Sequence, residues 1–215
     1  MKIGIIGSGI VGRVLATAFL NEGHDVMIGT RDVSKEDVVK WKTENPAGKA
    51  GLFTETAAFG ELLVLAVAGA VAEDAVQQSG TENFRDKVVI DATNPIAQEA
   101  PENGVLKFFT NLNDSLMERL QRQLPEAKLV KAFSSVGNNL MYKPQFADGR
   151  PTMFICGNDE KAKETVTQIL DAFGWETADM GKVEAARAIE PLCILWCIPG
   201  FLQNQWNHAF KLLKA

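Results

Sequence analysis

The chain has 215 residues, 46% of them hydrophobic and 23% charged, with a formal net charge of −5. That length suits one domain, or one domain with a small appendage, and supplies a sizeable core. The absence of a basic block argues against nucleic-acid binding, which needs clustered Lys and Arg, and three cysteines make no disulfide framework.

Lys2–Ile6 is short and aliphatic, as a strand buried on both faces should be. Gly7-Ser8-Gly9 follows at once, so the apolar stretch is too short for a signal peptide. The longest greasy stretch, Cys193–Phe201, is far from the roughly 20 apolar residues of a membrane span. A cytoplasmic protein without membrane contact is expected. In Val11–Asn21, Val11, Val14, Leu15, Ala18 and Phe19 recur at helical spacing. Asp25–Ile28 predicts a second strand. Ser34–Trp41 predicts a helix, with Ser34 as N-cap and Asp37 completing a capping box. A third strand is expected at Gly51–Phe53, a short helix at Glu55–Gly60, a fourth strand at Leu62–Val67, a helix at Ala70–Gln78 and a fifth strand at Lys87–Asp91. This alternation implies a parallel sheet with right-handed crossovers. Ile96–Asn113 reads as loop, Ser115–Gln123 as an amphipathic helix and Leu129–Phe133 as a sixth strand. Thr152–Cys156 and Trp175–Ala178 predict two more strands, flanking a helix over Glu160–Phe173 that Gly174 closes. Val183–Leu213 is expected to be helical and apolar, interrupted at Pro191 and Pro199-Gly200. The predicted fold is α/β, a Rossmann-type doubly wound parallel sheet over residues 1–180, with residues 181–215 as a small helical C-terminal extension packed on it.

Gly7-Ser8-Gly9-Ile10-Val11-Gly12 is G-x-G-x-x-G, and it lies between the first strand and the first helix, the context that makes it a dinucleotide fingerprint. Gly7 allows the tight turn, Gly9 lets a pyrophosphate approach the backbone, and Gly12 lets helix and strand pack closely. The helix N-terminus offers its N–H groups to the phosphates. Dinucleotide enzymes that use NAD place Asp or Glu after the second strand to bind the ribose 2′-hydroxyl. Here the strand runs into Gly29-Thr30-Arg31. Thr30 offers a hydroxyl and Arg31 a planar guanidinium suited to a 2′-phosphate, with Lys35 one helical turn on. This predicts NADP. Asp32 would repel that phosphate and is expected past the ribose, pointing to solvent.

Met1–Asp32 resembles the NADP-binding half of the coenzyme F-420-dependent NADP oxidoreductases, and the likeness continues. Val89-Ile90-Asp91-Ala92-Thr93-Asn94-Pro95 is similar to the segment after that family's fifth strand, and Lys131-Ala132-Phe133-Ser134-Ser135-Val136 to its Lys-Ala-Phe-Asn-Thr-Val segment. Asp179-Met180-Gly181 and Ala186–Pro191 resemble its C-terminal pattern. The resemblance implies NADP contacts at Gly7–Val11, Thr30, Arg31 and Lys35. It also implies that Val67-Ala68, Asn94-Pro95 and Ser134–Val136 line the cofactor cleft, at the carboxyl ends of strands where ligands sit in such sheets. Ser134-Ser135 stands where the family usually has Asn-Thr.

No side chain reads as a catalytic acid or base. His24 falls on the wrong edge of the sheet, and His208 on the apolar tail helix. Arg187 and Glu190 fit an intrahelical pair or cleft residues, and Trp196 and Trp206 fit core or the floor of a ring pocket. Cys193 and Cys197 share a helix face and read as core residues, with a redox or metal pair as the alternative. No metal is expected. Hydride transfer between two flat rings needs stacking and orientation more than acid–base chemistry. That favours an NADP-dependent oxidoreductase with a deazaflavin- or flavin-like redox partner. A reductase of a small carbonyl or imine is the alternative. Related β-hydroxyacid dehydrogenases use a lysine on a long helix, and here none occurs between Lys182 and Lys211. A non-catalytic NADPH-binding sensor is the third reading. The tail is apolar on more sides than one surface can cover, which predicts a homodimer built on it.

Overall fold

In the computed structural model, which describes residues 1–213, one eight-stranded sheet runs through the molecule. Its strands are β1 (Lys2–Ile6), β2 (Asp25–Thr30), β3 (Lys49–Leu52), β4 (Leu62–Leu65), β5 (Val88–Asp91), β6 (Lys128–Lys131), β7 (Thr152–Gly157) and β8 (Glu176–Asp179), in the order β3-β2-β1-β4-β5-β6-β7-β8. The helices are α1 (Ile10–Asn21), α2 (Glu36–Glu44), α3 (Phe53–Phe59), α4 (Ala72–Gln78), α5 (Leu116–Gln123), α6 (Glu160–Ala172), α7 (Ala186–Ile189) and α8 (Leu192–Gln203).

Strands β1 to β6 are parallel, and the pleat sends alternate residues to opposite faces. Ile5 and Val64 join a core with Leu15 and Phe19 of α1, Trp41 of α2 and Val166 of α6. Ile6 and Leu65 join a second core with Ala57 of α3, Val76 of α4, Leu120 of α5 and Ile189 of α7. This two-sided cover is why the central strands are aliphatic throughout. Gly4, inside β1, has no room for a Cβ, which would lie 2.5 Å from the Thr56 carbonyl oxygen of α3.

The sheet departs from an all-parallel arrangement at β7, which pairs with β6 antiparallel. Parallel neighbours need a crossover, usually a helix. The link between β6 and β7 holds only a short 3₁₀ turn at Asn138–Leu140, and the chain returns in the opposite sense. Helix α6 then supplies the crossover that keeps β8 parallel to β7.

Two local expectations are corrected. Ser34 does not cap α2, which starts two residues later with Lys35 as N-cap; the Ser34 N–H and hydroxyl both donate to Asp32 Oδ1. Asp37 faces Arg13 on α1 instead, at 2.9 Å. The tail is helical only to Gln203, where Asn204 adopts a left-handed φ of 54°. Pro199 lies inside α8 and does not interrupt it. Trp206 folds back onto Gly200, and the chain then runs beside the start of β7, where Thr152 N donates to Phe210 O and Leu212 N to Thr152 Oγ1. Lys214 and Ala215, the end of the expected extension, lie outside the described residues. Val183–Gln203 has the length and hydropathy of a membrane-crossing helix, yet it divides into separate helices that bury Ala186, Ile189, Cys193 and Trp196 against the fold.

Candidate functional site

The order β3-β2-β1-β4 makes the chain reverse direction across the sheet between β1 and β4, which opens a crevice at the carboxyl ends of the strands. A cleft of about 420 Å³ occupies it, lined by Gly7, Ser8, Gly9, Thr30, Arg31, Asp32, Lys35, Val67 and Ala68. Each expected glycine role has a geometric counterpart. Gly7 has φ +129°, and a Cβ there would lie 2.3 Å from Ala66 O. A Cβ on Gly12 would meet Gly7 O at 2.1 Å, so this residue serves helix–strand packing and does not line the cleft. Around Gly9 the space is open to 4 Å, a cradle that a side chain would fill. Gly9 is also the N-cap of α1, so the unpaired N–H groups of that helix face this space.

The far wall of the cleft is charged. Arg31 and Lys35 are exposed, and among the described residues neither makes an ion pair. Thr30 is buried, and its hydroxyl is already engaged, accepting from Ser8 Oγ at 3.2 Å and bonding the Asp32 backbone. Asp32 is exposed but lines the cleft, contrary to the expectation that it would point away. The Ser34 hydroxyl and N–H that it accepts hold its carboxyl below the usual range. Phe53, Val71, Asp74, Ala75 and Gln78 complete the wall from α3 and the α4 region. No sequence motif marks them; only the packing of those helices brings them here.

Ile10, Val11, Asn94, Pro95 and Ser134–Val136 are not part of this cavity. Ile10 lines a separate trough of about 660 Å³ over α1, with Arg13, Val14, Asn138, Asn139 and Tyr142. Asn94 and Ser134 do meet, across the ends of β5 and β6: Asn94 Nδ2 donates to Ser134 O at 2.9 Å. Asn94 Oδ1 and Ser134 Oγ are buried without a hydrogen-bond partner. A buried polar atom left unpaired costs about 1–3 kcal/mol. Phe133, just before Ser134, has φ +63°, a left-handed conformation that costs a bulky residue about 1 kcal/mol or more. Unpaired polar atoms and backbone strain thus meet in one turn at the ends of β5 and β6. The residues present therefore fit a dinucleotide: open cradle and cations at one end, polar orphans at the other.

The remaining candidates are placed otherwise. His24 is half-buried beside the N-terminus, at the opposite edge of the sheet. His208 is packed but not on a helix: its ring stacks on Trp196, and Nε2 lies 2.9 Å from Trp196 O. Trp196 is buried against Gly137, next to Val136. Arg187 and Glu190 do not pair. Arg187 binds Glu118 of α5, while Glu190 is buried beside Lys131. That cluster has no signal in any one stretch of sequence. Cys193 is a buried free thiol, and its hydrogen bond with the Cys197 thiol, together with burial, pushes its pKa well above the usual range. Among the described residues no group of three or more His, Cys, Asp or Glu is placed to hold a metal.

A doubly wound sheet with an open glycine cradle and a basic wall at its switch point has the architecture of a dinucleotide-binding domain. Residues 2–95 match the family described as NADP oxidoreductase, coenzyme F420-dependent, and the chain belongs to that family. A candidate F420-dependent NADP reductase from Arthrobacter sp., solved by crystallography, superposes with a TM-score of 0.92 at 33% identity, with 100% of both chains covered. The F420-dependent NADP reductase of Methanothermobacter thermautotrophicus is 28% identical over 89% of this chain and 86% of its own. Metalloreductase STEAP3 of Rattus norvegicus is 30% identical over 94% of this chain, which spans only 39% of that protein.

Proposed function

We propose that this protein transfers a hydride between NADP and a deazaflavin- or flavin-like redox partner. The observation that carries the reading is the chemistry of the reaction end. Val67-Ala68, Asn94-Pro95 and Ser134–Val136 contain no side chain that ionises near neutral pH, and the adjacent Lys131 is buried between the carboxylates of Asp91 and Glu190. Reduction of a carbonyl leaves an alkoxide that needs a proton from a positioned acid. A conjugated ring spreads the charge that a hydride brings, so orientation suffices. The relatives named for coenzyme F420 and for metal reduction support a redox acceptor over a carbon electrophile.

In this reading Gly9 and the start of α1 hold the pyrophosphate, and Ser8, with its hydroxyl on Thr30, shapes the turn. Arg31 and Lys35 bind the 2′-phosphate, and Val67 and Ala68 flank the dinucleotide. Ile10 and Val11 border its reactive side, with Asn94, Pro95, Ser134, Ser135 and Val136 forming the nicotinamide end. When bound, NADPH would supply the hydride from its nicotinamide ring, and the chain's part is to orient that ring. Stopped-flow mixing of the NADPH-loaded protein with a deazaflavin, a flavin and a panel of carbonyls and imines tests this. Rapid loss of NADPH absorbance with a deazaflavin or flavin is expected. Turnover with only a carbonyl or imine, or with nothing, overturns it in favour of a small-molecule reductase or a sensor.

We also propose a homodimer. Leu195, Phe201 and Leu202 of α8 are 54%, 45% and 58% exposed, and Val105 and Leu112 of the adjoining loop segment are exposed too. A second copy placing the same surface here covers both at once. Light scattering at micromolar concentration should give twice the 23.4 kDa chain mass.

A further inference from the structure

Lys131, the last residue of β6, has no exposed side-chain surface. Its ammonium donates to Asp91 Oδ2 at 2.8 Å and to Thr93 O at 2.7 Å, and lies 2.9 Å from Glu190 Oε1. A lysine has three protons to donate, and all three have acceptors. Burial disfavours its charged form, but Asp91 and Glu190 outweigh that and hold it protonated beyond the usual lysine range. Glu190 also accepts from the N–H groups of Leu116 and Met117, each at 3.0 Å, at the start of α5. Asp91 Oδ1 accepts from the Thr93 N–H and hydroxyl. One buried cluster thus ties β5, β6, α5 and the tail.

Such a cluster is a poor device for stability alone, because desolvating three charges offsets most of their attraction and apolar residues of equal volume would serve. What apolar residues could not do is fix a carbonyl. Thr93 O belongs to the peptide that leads into Asn94, whose amide donates to Ser134 O and whose Oδ1 is left without a partner.

We propose that Lys131 is a positioning residue: by holding the Thr93 carbonyl it sets the Asn94 amide against the Ser134 turn, and so shapes the nicotinamide end of the cleft. Glu190 makes the tail part of the same support. The proposal rests on the placement of the nicotinamide at Asn94 and Ser134 given above.

Two ligands separate positioning from folding. Adenosine 2′,5′-bisphosphate reaches only the Arg31 end, whereas NADPH spans both ends. In calorimetry on the full chain, Lys131→Met should leave the affinity for the bisphosphate unchanged and weaken NADPH about tenfold, with a comparable fall in single-turnover hydride transfer. Equal losses for both ligands, or no loss for either in a folded variant, overturn the proposal. Should Lys131→Met not fold, Thr93→Val removes only the hydroxyl bond to Asp91 and Glu190→Gln removes one charge at constant volume. Each should show the same split between ligands at about threefold, and an equal loss or none overturns it. Asn94→Ala with Ser134→Ala distinguishes the underlying placement. If that pair leaves NADPH binding intact, the placement fails and the positioning role with it. If it weakens NADPH while Lys131→Met does not, only the positioning role fails.

Discussion

The two ends of the proposed nucleotide site use cations in opposite ways. At the proposed adenosine end, Arg31 and Lys35 stand exposed, and among the described residues they make no ion pair. Behind the proposed nicotinamide end, Lys131 is fully buried between two carboxylates. An exposed, unpaired cation is free to recognise a charged ligand, whereas a buried, paired one is committed to geometry. The difference teaches that positive charge beside a nucleotide cleft does not by itself mark a phosphate site; its partners decide.

The largest effect expected at the adenosine end comes from its backbone. Gly9 has an ordinary φ of −68° and open space around it, so Gly9→Val should fold normally and lose NADPH binding altogether in calorimetry. Normal binding by that variant would displace the pyrophosphate from the cradle and break the comparison at its root. By contrast, alanine at Gly7 or Gly12 should destabilise the fold itself, because the new Cβ would run into backbone.

Next in size is the loss of the exposed cation. NADPH should bind more tightly than NADH, and Arg31→Ala should erase most of the difference, since a charge-assisted phosphate contact contributes about 1.5–3 kcal/mol, tenfold or more. Isothermal titration of both nucleotides against both proteins checks this. Equal affinities in the unmodified protein would remove the distinction between the two ends.

The smallest effect tests a pair of intermediate burial, Arg187 with Glu118. Hydrogen bonds from Arg187 hold the Glu118 carboxyl below its ordinary value of 4.5, with burial opposing. A carboxyl depressed in the folded state contributes stability above its unfolded value and loses it as pH falls through the folded one. Thermal melts should therefore show Glu118→Gln lowering Tm by a few degrees at pH 7, with the gap closing as pH falls below about 4.5. A gap that does not narrow at all as pH falls below about 4.5 would show that the glutamine disturbs packing instead.

Much of this was legible in the chain itself. β1 was predicted over the residues it occupies, and the glycine turn and Arg31 follow within a few tens of residues. Helix α6 with Gly174 at φ +88° was also readable, because a cap and a helical period are local facts. The misreadings were of two kinds. Ser34 has the right chemistry for a cap, but Asp32 competes for its N–H and hydroxyl. Arg187 and Glu190 have the right spacing for a pair, but each finds a stronger partner on another element.

The sequence by itself determined the doubly wound sheet, the glycine cradle and the basic wall, because each rests on backbone conformation and side-chain period over contiguous residues. Tertiary structure alone decided the reversal at β7, the course of the tail beyond Gln203 and the meeting of Asp91, Lys131 and Glu190. Those three residues lie on β5, on β6 and in the tail, and each is unremarkable in its own segment. They become one cluster only because two strands pair side by side and the tail docks where α5 begins. The energy of that meeting depends on mutual burial, a property no linear pattern encodes.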